Sequence, residues 1–333
     1  MNSEPAAAYG GPGWQPRTTT TAEELGRLWA PCGISDEWSP LRSVLLHRPG
    51  PEWLEIPDPD EALMLAEVDP DAIVAQHRAL EGLYRSLGVE VHLVDPAEAV
   101  DPNLMFCADL FVMTPEGAIL ARPAGRARAG EERWVARRLA DMGAPVLTSI
   151  HGSATFEGAD LMWVDDRTVL LGRGMRTNDG GVAQIVDLLR TMGVDVVVAQ
   201  QPVGSMHFMS QLRIVDGDLA LAAADRLSLV AVELLRSRGY QVLTVPPGPE
   251  ISEAKAFNIV TVGPREIVMP DGCDRTREFY ENAGITTHVV DVSAMVLAAG
   301  AIGCVTGVIH RGADPIPAAP TRTAPTPAEP HDL

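Results

Sequence analysis

ADLMWVDDRTVLLG at residues 159–172, followed by IVDLLRTMGVDVVVA at residues 185–199, contains one complete structural unit. Two runs of β-forming residues flank the turn residues DDR, and an amphipathic helix then ends at Gly193 before a third apolar run. Glycine ends helices because it adopts the left-handed backbone conformation without a steric penalty. The unit is therefore a strand, a turn, a second strand, a helix and a third strand.

The same pattern occurs five times along the chain. Each helix ends at a glycine, and these glycines, spaced 45 to 55 residues apart, are Gly88, Gly143, Gly193, Gly239 and Gly284. Strand pairs with turn residues between them precede four of the helices, at residues 109–122, 159–172, 212–223 and 257–270. A unit of this size cannot cover both faces of its own sheet, so we expect five units to pack around a common axis.

These repeats predict a single α/β domain over residues 28–311. Its fold class is a five-fold pseudosymmetric α/β propeller of strand-strand-helix-strand repeats, and residues 302–310 are its last strand, which returns to the first unit and closes the ring. An ordinary doubly wound α/β sheet is the alternative, but it does not predict a hairpin before each helix. Residues 1–27, rich in Ala, Gly, Pro and Thr, and the Pro-rich tail at residues 312–333 are predicted to be disordered.

Composition and charge exclude several classes of function. The 333 residues contain 26 Lys and Arg against 45 Asp and Glu, a formal net charge of −19. Nucleic acids and anionic membranes need a basic surface, so neither is an expected partner. With 46% hydrophobic residues the chain can form a large core, but its longest apolar run, residues 294–309, is shorter than the roughly 20 residues of a membrane-spanning helix.

The termini and the cysteines bear on location and cofactors. The N-terminus lacks the basic and apolar regions of a secretory signal, and the four cysteines (Cys32, Cys107, Cys273 and Cys304) are scattered. We therefore expect a cytoplasmic protein without disulfides. No spacing typical of a metal site is present, so neither a metal nor a cofactor is predicted.

Five repeats around an axis bring equivalent positions to the same region. The polar residues near the predicted strand starts lie about one or two repeats apart and are Asp109, Asp160, His207, Asn258 and Cys304. A cysteine thiolate is a nucleophile, and a histidine can protonate a leaving group and deprotonate an incoming one. Glu157 can orient the imidazole, and Asp109 can hold a planar cation. This set of groups suits attack on the carbon of a guanidinium or amidinium.

Five motifs in this order resemble a known family. They are PNLMFCAD (102–109), FEGAD (156–160), GRGMRTN (172–178), SMHFMS (205–210) and GCVTGVIHRG (303–312). Together with the five-unit pattern they resemble the guanidino-group-modifying enzymes of the pentein fold, which include arginine deiminase, dimethylarginine dimethylaminohydrolase and glycine amidinotransferase. The resemblance covers about residues 35–311.

The resemblance implies a role for each matching residue. Cys304 is the nucleophile that forms a covalent amidino intermediate, His207 is the general acid and base, and Glu157 orients His207. Asp109 binds the guanidinium, and Asp160 belongs to the structural part of the motif that contains Glu157. Arg176 and Arg128 match positions that bind the α-carboxylate of arginine-like substrates, which suits the fork of a guanidinium. Arg128 also lies among three other arginines, which leaves a solvated basic surface as its alternative.

Two departures from the motifs leave the substrate open. Met209 occupies a position where arginine deiminases and amidinotransferases have an acid, and Ala108 a position where dimethylarginine hydrolases have one. The predicted function is a cysteine-dependent hydrolase of an arginine-like guanidine or amidine. An amidinotransferase that passes the amidino group to an amine is the alternative, and a non-catalytic pentein scaffold is a lesser one. Whether the chain forms a homo-oligomer is left open.

Overall fold

The repeat pattern of the sequence is present in the structure as five three-stranded sheets. The structure is a computed structural model that describes residues 14–54, 56, 58–96, 98–223 and 226–312. In four of the sheets an antiparallel hairpin is followed by a helix and by a third strand parallel to the second strand. The predicted strand-strand-helix-strand repeat is therefore confirmed.

The described residues form fifteen strands and nine α-helices. The strands are β1 (Leu41–Leu46), β2 (Glu90–Leu93), β3 (Phe111–Thr114), β4 (Gly117–Leu120), β5 (Val146–Ser149), β6 (Leu161–Asp165), β7 (Thr168–Arg173), β8 (Asp195–Gln200), β9 (Leu212–Asp216), β10 (Leu219–Ala223), β11 (Gln241–Val245), β12 (Val260–Gly263), β13 (Glu266–Pro270), β14 (Thr286–Val290) and β15 (Gly307–Arg311). The helices are α1 (Thr21–Glu24), α2 (Pro70–Ser86), α3 (Glu132–Asp141), α4 (Asp179–Thr191), α5 (Leu229–Ser237), α6 (Pro249–Ser252), α7 (Asp274–Asn282), α8 (Ser293–Leu297) and α9 (Ile302–Val305).

The five long helices end as the glycine pattern predicts. The glycine after each of α2, α3, α4, α5 and α7 has a φ between +72° and +85°, the left-handed region in which glycine replaces side-chain-bearing residues at little cost. The apolar faces of these helices pack on the sheets. In α4, for example, Ile185 and Leu189 are fully buried in the core shared by the second and third repeats.

The C-terminal strand closes the ring. β15 pairs antiparallel with β1, which pairs parallel with β2, so the first sheet combines the two ends of the domain. The strand is shorter than predicted because residues Ile302–Val305 form the helical turn α9. Two hydrogen bonds favour this turn: the Thr306 hydroxyl donates to Ile302 O at 2.7 Å, and the Gly303 N–H donates to Asn258 Oδ1 at 2.6 Å.

The N-terminal segment that the sequence predicts to be disordered includes one ordered turn. Within residues 14–27, helix α1 begins after Thr20, whose side chain accepts a hydrogen bond from the Glu23 N–H while Glu23 accepts one from the Thr20 N–H. This reciprocal cap satisfies backbone donors that a short helix otherwise leaves unpaired. Residues 1–13 and 313–333 of the two predicted disordered segments lie outside the described residues. Among the helices described here, none has the length and hydrophobicity needed to span a membrane.

Candidate active site

Three short 3₁₀ turns lie side by side where the sequence predicted strand starts. They comprise residues Cys107–Asp109, Gly158–Asp160 and Phe208–Ser210, and the first also packs against α9, which carries Cys304. The first two turns approach so closely that a Cβ atom on Gly158 would lie 2.2 Å from the Phe111 carbonyl oxygen. Only glycine fits there. The repeats thus bring the predicted polar residues together, but on turns before the strands rather than on the strands.

His207 is held by two buried carboxylates. Its Nε2 atom lies 2.5 Å from Glu157 Oε2 and 3.6 Å from Asp109 Oδ1. All three residues are at least 96% buried. Because Glu157 occupies Nε2, the Nδ1 atom of the ring is the one left for proton transfer.

The carboxylates fix the charge of the imidazole. Burial by itself lowers the pKa of a histidine, but the charges of Asp109, Glu157 and Asp160 and the hydrogen bond to Glu157 outweigh it and raise the pKa of His207 to about 9. Burial likewise raises the pKa of the Glu157 carboxyl, but its hydrogen bond with His207 and the nearby cations outweigh this and lower the pKa to about 2. At neutral pH the pair is therefore an imidazolium and a carboxylate.

Asp160 is fully buried and contacts the backbone of the residue that follows His207. It accepts hydrogen bonds from the Phe208 N–H at 2.9 Å, the Gln201 amide at 2.8 Å and the Thr177 hydroxyl at 2.6 Å. Burial raises the pKa of Asp160 to about 6 despite these bonds. The side chain joins the turn that carries His207 to the loop that carries Arg176.

Arg128 contacts Asp109, another of the predicted binding residues. Its guanidinium donates to Asp109 Oδ2 at 2.5 Å, to Glu131 Oε2 at 2.9 Å, and to the carbonyl oxygens of Asn103 and Phe106. The alternative that Arg128 lies on a solvated surface is wrong, because the residue is only 4% exposed. Most of its N–H groups are already used within the protein.

Arg176 lies beside Glu157 at the edge of the same cluster. Its Nη1 atom is 3.4 Å from Glu157 Oε1, and its side chain remains 17% exposed. Arg176 therefore has room to contact a ligand, whereas Arg128 does not in this conformation.

Cys304 is half-buried, and its sulfur has a polar neighbour from the fourth repeat. The side-chain amide of Asn258 donates to Sγ at 3.0 Å, while its oxygen accepts from the Gly303 N–H. The Arg213 guanidinium lies against Gly303, where a Cβ atom would be 2.6 Å from Nη2. Burial and the charge of Asp109 raise the pKa of Cys304 above its ordinary value of 9.0, although Asn258 and Arg213 act in the opposite direction. Cys304 is therefore a neutral thiol at neutral pH.

A cavity of about 240 Å³ connects the thiol with the imidazole. Its lining residues include Cys304, His207, Met209, Asn258 and Lys255. Among the described residues, neither Asp109 nor Glu157 lines it. The nucleophile and the proton donor are therefore accessible from one cavity, while the two acids lie deeper.

Asp109, Glu157 and His207 could in principle hold a metal ion, since each offers a ligand atom within 4.8 Å of the others. The same carboxylates, however, bind the guanidinium groups of Arg128 and Arg176. A divalent cation would have to displace these positive charges, so the donor set does not fit a metal well.

Four residues of this region have no role predicted from the sequence. They are Glu131, Arg213, Lys255 and Asn258. Asn258 carried a usable signal, because it occupies in its repeat the position that Asp109, Asp160 and His207 occupy in theirs. The other three lie outside that repeat position.

Comparison with known proteins shows the family to which the chain belongs. Residues 65–271, more than half of the chain, match the family described as N,N dimethylarginine dimethylhydrolase, eukaryotic. The N(G),N(G)-dimethylarginine dimethylaminohydrolase of Streptomyces coelicolor is 26% identical over 266 residues, which span 80% of this chain and 96% of that protein.

Two solved structures share the fold. The dimethylarginine dimethylaminohydrolase of Pseudomonas aeruginosa, complexed with citrulline, is 22% identical with a TM-score of 0.67, and the match covers 80% of this chain and 98% of that one. An amidinotransferase of saxitoxin biosynthesis from Microseira wollei is 16% identical with a TM-score of 0.70, covering 86% and 98%. At these identities the likeness demonstrates the pentein fold alone. The family match over residues 65–271 goes further, and this chain belongs to the N,N-dimethylarginine dimethylhydrolase family, within the pentein superfamily of guanidino-group-modifying proteins.

Proposed function

We propose that this protein is a cysteine-dependent hydrolase of an arginine-like guanidine, with Cys304 as nucleophile and His207 as general acid and base. The observation that carries the proposal is that both side chains line one cavity while Glu157 holds the imidazole at 2.5 Å. A thiol, a charged imidazole and buried carboxylates are the groups that attack on a cationic carbon requires.

Asp109 is proposed to bind the substrate guanidinium. Arg128 holds its Oδ2 atom, while the buried Oδ1 atom has no hydrogen-bond partner among the described residues. His207 Nε2 lies 3.6 Å from this oxygen, too far for a hydrogen bond, and a planar cation would supply one. Arg128 then acts by orienting Asp109. Of the two arginines expected to bind a substrate carboxylate, only Arg176 is partly exposed, but it does not line the cavity that contains Cys304 and His207.

The first half of the reaction forms a covalent intermediate. A bound guanidinium adds positive charge beside the Cys304 thiol, which lowers the thiol pKa, and the thiol proton leaves to water in the cavity. The thiolate attacks the central guanidinium carbon, so a C–S bond forms. His207 donates its proton to the departing nitrogen as the C–N bond breaks.

The second half releases the product. Now neutral, His207 takes a proton from a water molecule, whose oxygen attacks the same carbon. The C–O bond forms, the C–S bond breaks, and Cys304 leaves as a thiolate. The remaining O–H proton passes through water to the sulfur, so the ureido carbonyl forms and the thiol is restored. The products are a ureido compound and an amine.

Met209 influences which leaving nitrogen the site accepts. It lines the cavity beside Cys304 at a position where an acid would otherwise hold a second N–H group. An apolar side chain there favours a leaving nitrogen that carries alkyl groups, because methyl groups gain contact with the thioether and lose no hydrogen bond. A methylated arginine is therefore the first substrate to test.

The test is mass spectrometry of reactions with arginine, methylated arginines, agmatine and guanidino acids, each with and without glycine or lysine as amine acceptor. A ureido product formed without acceptor, and an amidino adduct on the Cys304 peptide after acid quenching, support the hydrolase. The matched control is Cys273→Ala, which removes a buried cysteine and should leave the adduct unchanged.

The other outcomes separate the rival functions. A new guanidine that forms only when an amine is supplied identifies an amidinotransferase, because the two reactions share the intermediate and differ in the second nucleophile. Neither product nor adduct with any guanidine contradicts the proposal and favours a non-catalytic scaffold.

A further inference from the structure

Lys255 is the only lysine in the 333-residue sequence, and it lines the cavity that contains Cys304 and His207. All the other side chains among the 26 Lys and Arg are arginines. Lys255 is half-buried, and its ammonium group donates to the Ser252 carbonyl oxygen at 2.7 Å. Ser252 also lines the cavity. The chain thus places its one lysine side chain at the candidate active site.

The backbone at Lys255 is strained. Its φ is +57°, a region that costs about 1 kcal/mol or more for a residue with a side chain and that glycine or asparagine occupies more easily. Five described non-glycine residues have positive φ, and two of them, Lys255 and Ala299, line this cavity. Strained backbone of this kind clusters at active sites and ligand sites, where the surrounding structure holds it in place.

A tight turn links the lysine to the nucleophile. The Asn258 N–H donates to the Lys255 carbonyl oxygen at 2.7 Å, and the Asn258 side chain donates to Cys304 Sγ at 3.0 Å. One turn therefore places a hydrogen-bond donor on the sulfur and an ammonium group farther along the cavity wall.

The cavity has basic side chains in its lining although the protein is strongly negative. The lining residues include Lys255, Arg226 and the imidazolium of His207, and no Asp or Glu of the described chain lines it. The protein as a whole carries a net charge of −19. A local positive lining on such a protein favours an anionic ligand group. Of the two arginines predicted from the sequence to bind a carboxylate, Arg128 is instead bound to Asp109 and Glu131, and Arg176 does not line this cavity.

We infer that Lys255 binds a carboxylate at the end of the substrate opposite the guanidinium, and so selects guanidino acids over uncharged alkylguanidines. This inference rests on the proposed function for its orientation of the substrate, with the guanidinium carbon at Cys304. Lys255 takes no part in bond making. Its effect is therefore on binding of the carboxylate rather than on the chemical step.

The single lysine allows a direct binding test. In Cys304→Ser protein, which cannot turn over a substrate, reductive methylation modifies only the Lys255 amine and the N-terminal amine, and the second serves as internal control. The probes are 5-guanidinopentanoate and pentylguanidine, which have matching carbon chains and no primary amine. We expect 5-guanidinopentanoate to slow methylation of Lys255 severalfold and pentylguanidine to leave it unchanged. Protection by neither probe, or equally by both, overturns the inference.

Kinetics of the protein with Cys304 intact supply the second readout. Lys255→Gln should raise KM for 5-guanidinopentanoate about tenfold or more with little change in kcat, and should leave KM for pentylguanidine within about twofold. Lys255→Arg, which retains the charge, should restore most of the loss. Equal changes for the two probes overturn the inference even though hydrolysis continues. Protection of Lys255 without hydrolysis of any guanidine supports the carboxylate site and contradicts the proposed function.

Discussion

The two sides of the candidate active site differ in how completely their polar groups are paired. On the imidazole side, which comprises Asp109, Arg128, Glu157, Asp160 and His207, nearly every charged atom has a partner of opposite charge or a hydrogen bond. On the thiol side, which comprises Arg213, Lys255, Asn258, Gly303 and Cys304, the sulfur has one amide donor. The Nε and Nη2 atoms of Arg213 have no hydrogen-bond partner within the described chain.

This difference separates what the protein fixes in advance from what the substrate supplies. The imidazole side holds its charges in a geometry that does not depend on a ligand, so His207 is charged before any substrate binds. The thiol side keeps Cys304 neutral, because burial outweighs its few stabilising contacts. A cationic substrate supplies the missing charge. The nucleophile is thus activated by binding, while the acid is ready beforehand.

Replacement of the proposed nucleophile on the thiol side should lower the activity more than any other substitution. We expect Cys304→Ser to lower kcat by roughly 10⁴-fold or more, because a serine hydroxyl is not ionised by the same contacts. Steady-state hydrolysis of the best guanidine measures the effect. The imidazole side should remain intact, so the His207 pKa in an NMR titration should stay near 9. Retention of more than about a tenth of the activity would show that Cys304 is not the nucleophile.

Breaking the imidazole side should have the next largest effect. Glu157→Gln keeps the shape of the side chain but removes the charge that stabilises the imidazolium. We expect kcat to fall roughly 10²- to 10³-fold and the His207 pKa to fall below about 9, so the alkaline limb of the pH-rate profile moves to lower pH. The pH-rate profile and an NMR titration of His207 measure these changes.

The control for Glu157→Gln lies on the thiol side. The rate at which Cys304 is alkylated should change much less than kcat, since the sulfur's amide donor comes from Asn258. An unchanged pH-rate profile would mean that Glu157 does not set the charge of His207.

The same pair makes stability depend on pH. The raised pKa of His207 contributes stability that is fully present below its ordinary value of 6.5 and is lost as pH rises through about 9. The lowered pKa of Glu157 contributes stability present above 4.5 and lost as pH falls towards about 2. The pair therefore stabilises most between pH 4.5 and 6.5.

His207→Gln tests this pH dependence. The difference between the unfolding free energies of the two proteins should shrink by roughly 1–3 kcal/mol between pH 6.5 and 9.5. Urea unfolding at several pH values measures it, and Cys273→Ala is the control in which no pH-dependent difference is expected. A difference that grows with pH would contradict the charge assignment of the pair.

The sequence predicted the imidazole side better than the thiol side, and the reason is physical. Asp109, Asp160 and His207 come from hairpins that repeat at nearly constant spacing, so equal positions in the chain become equal positions around the axis. Cys304 follows the same rule, but the rule gives no information on what surrounds its sulfur.

Contacts between distant segments explain why the partners of Arg128 and the conformation around Cys304 were not predicted from the sequence. Arg128 was expected at a substrate carboxylate, yet Asp109 and Glu131 compete for its guanidinium, and that contact depends on how the loop after β4 folds back on the first 3₁₀ turn. Cys304 was predicted in a strand because Ile, Val and Cys favour one, but the Asn258 side chain stabilises a helical turn there. Short polar contacts of this kind leave no periodic signal in the chain.

Removal of the Asn258 amide should have the smallest effect of the four substitutions. It tests whether this hydrogen bond sets the reactivity of the Cys304 sulfur. Asn258→Ala deletes both the donor to Sγ and the acceptor of the Gly303 N–H, and we expect the Cys304 pKa to rise further above 9.0. Alkylation by iodoacetamide at pH 8.5, read on the Cys304 peptide, should slow a fewfold, because only the thiolate reacts. Cys32 and Cys273 are internal controls, since burial raises the pKa of each to about 11. Faster alkylation would mean that Asn258 shields the sulfur from the reagent instead of stabilising the thiolate. The low reactivity of Cys304 would then result from steric protection of its sulfur and not from a raised pKa.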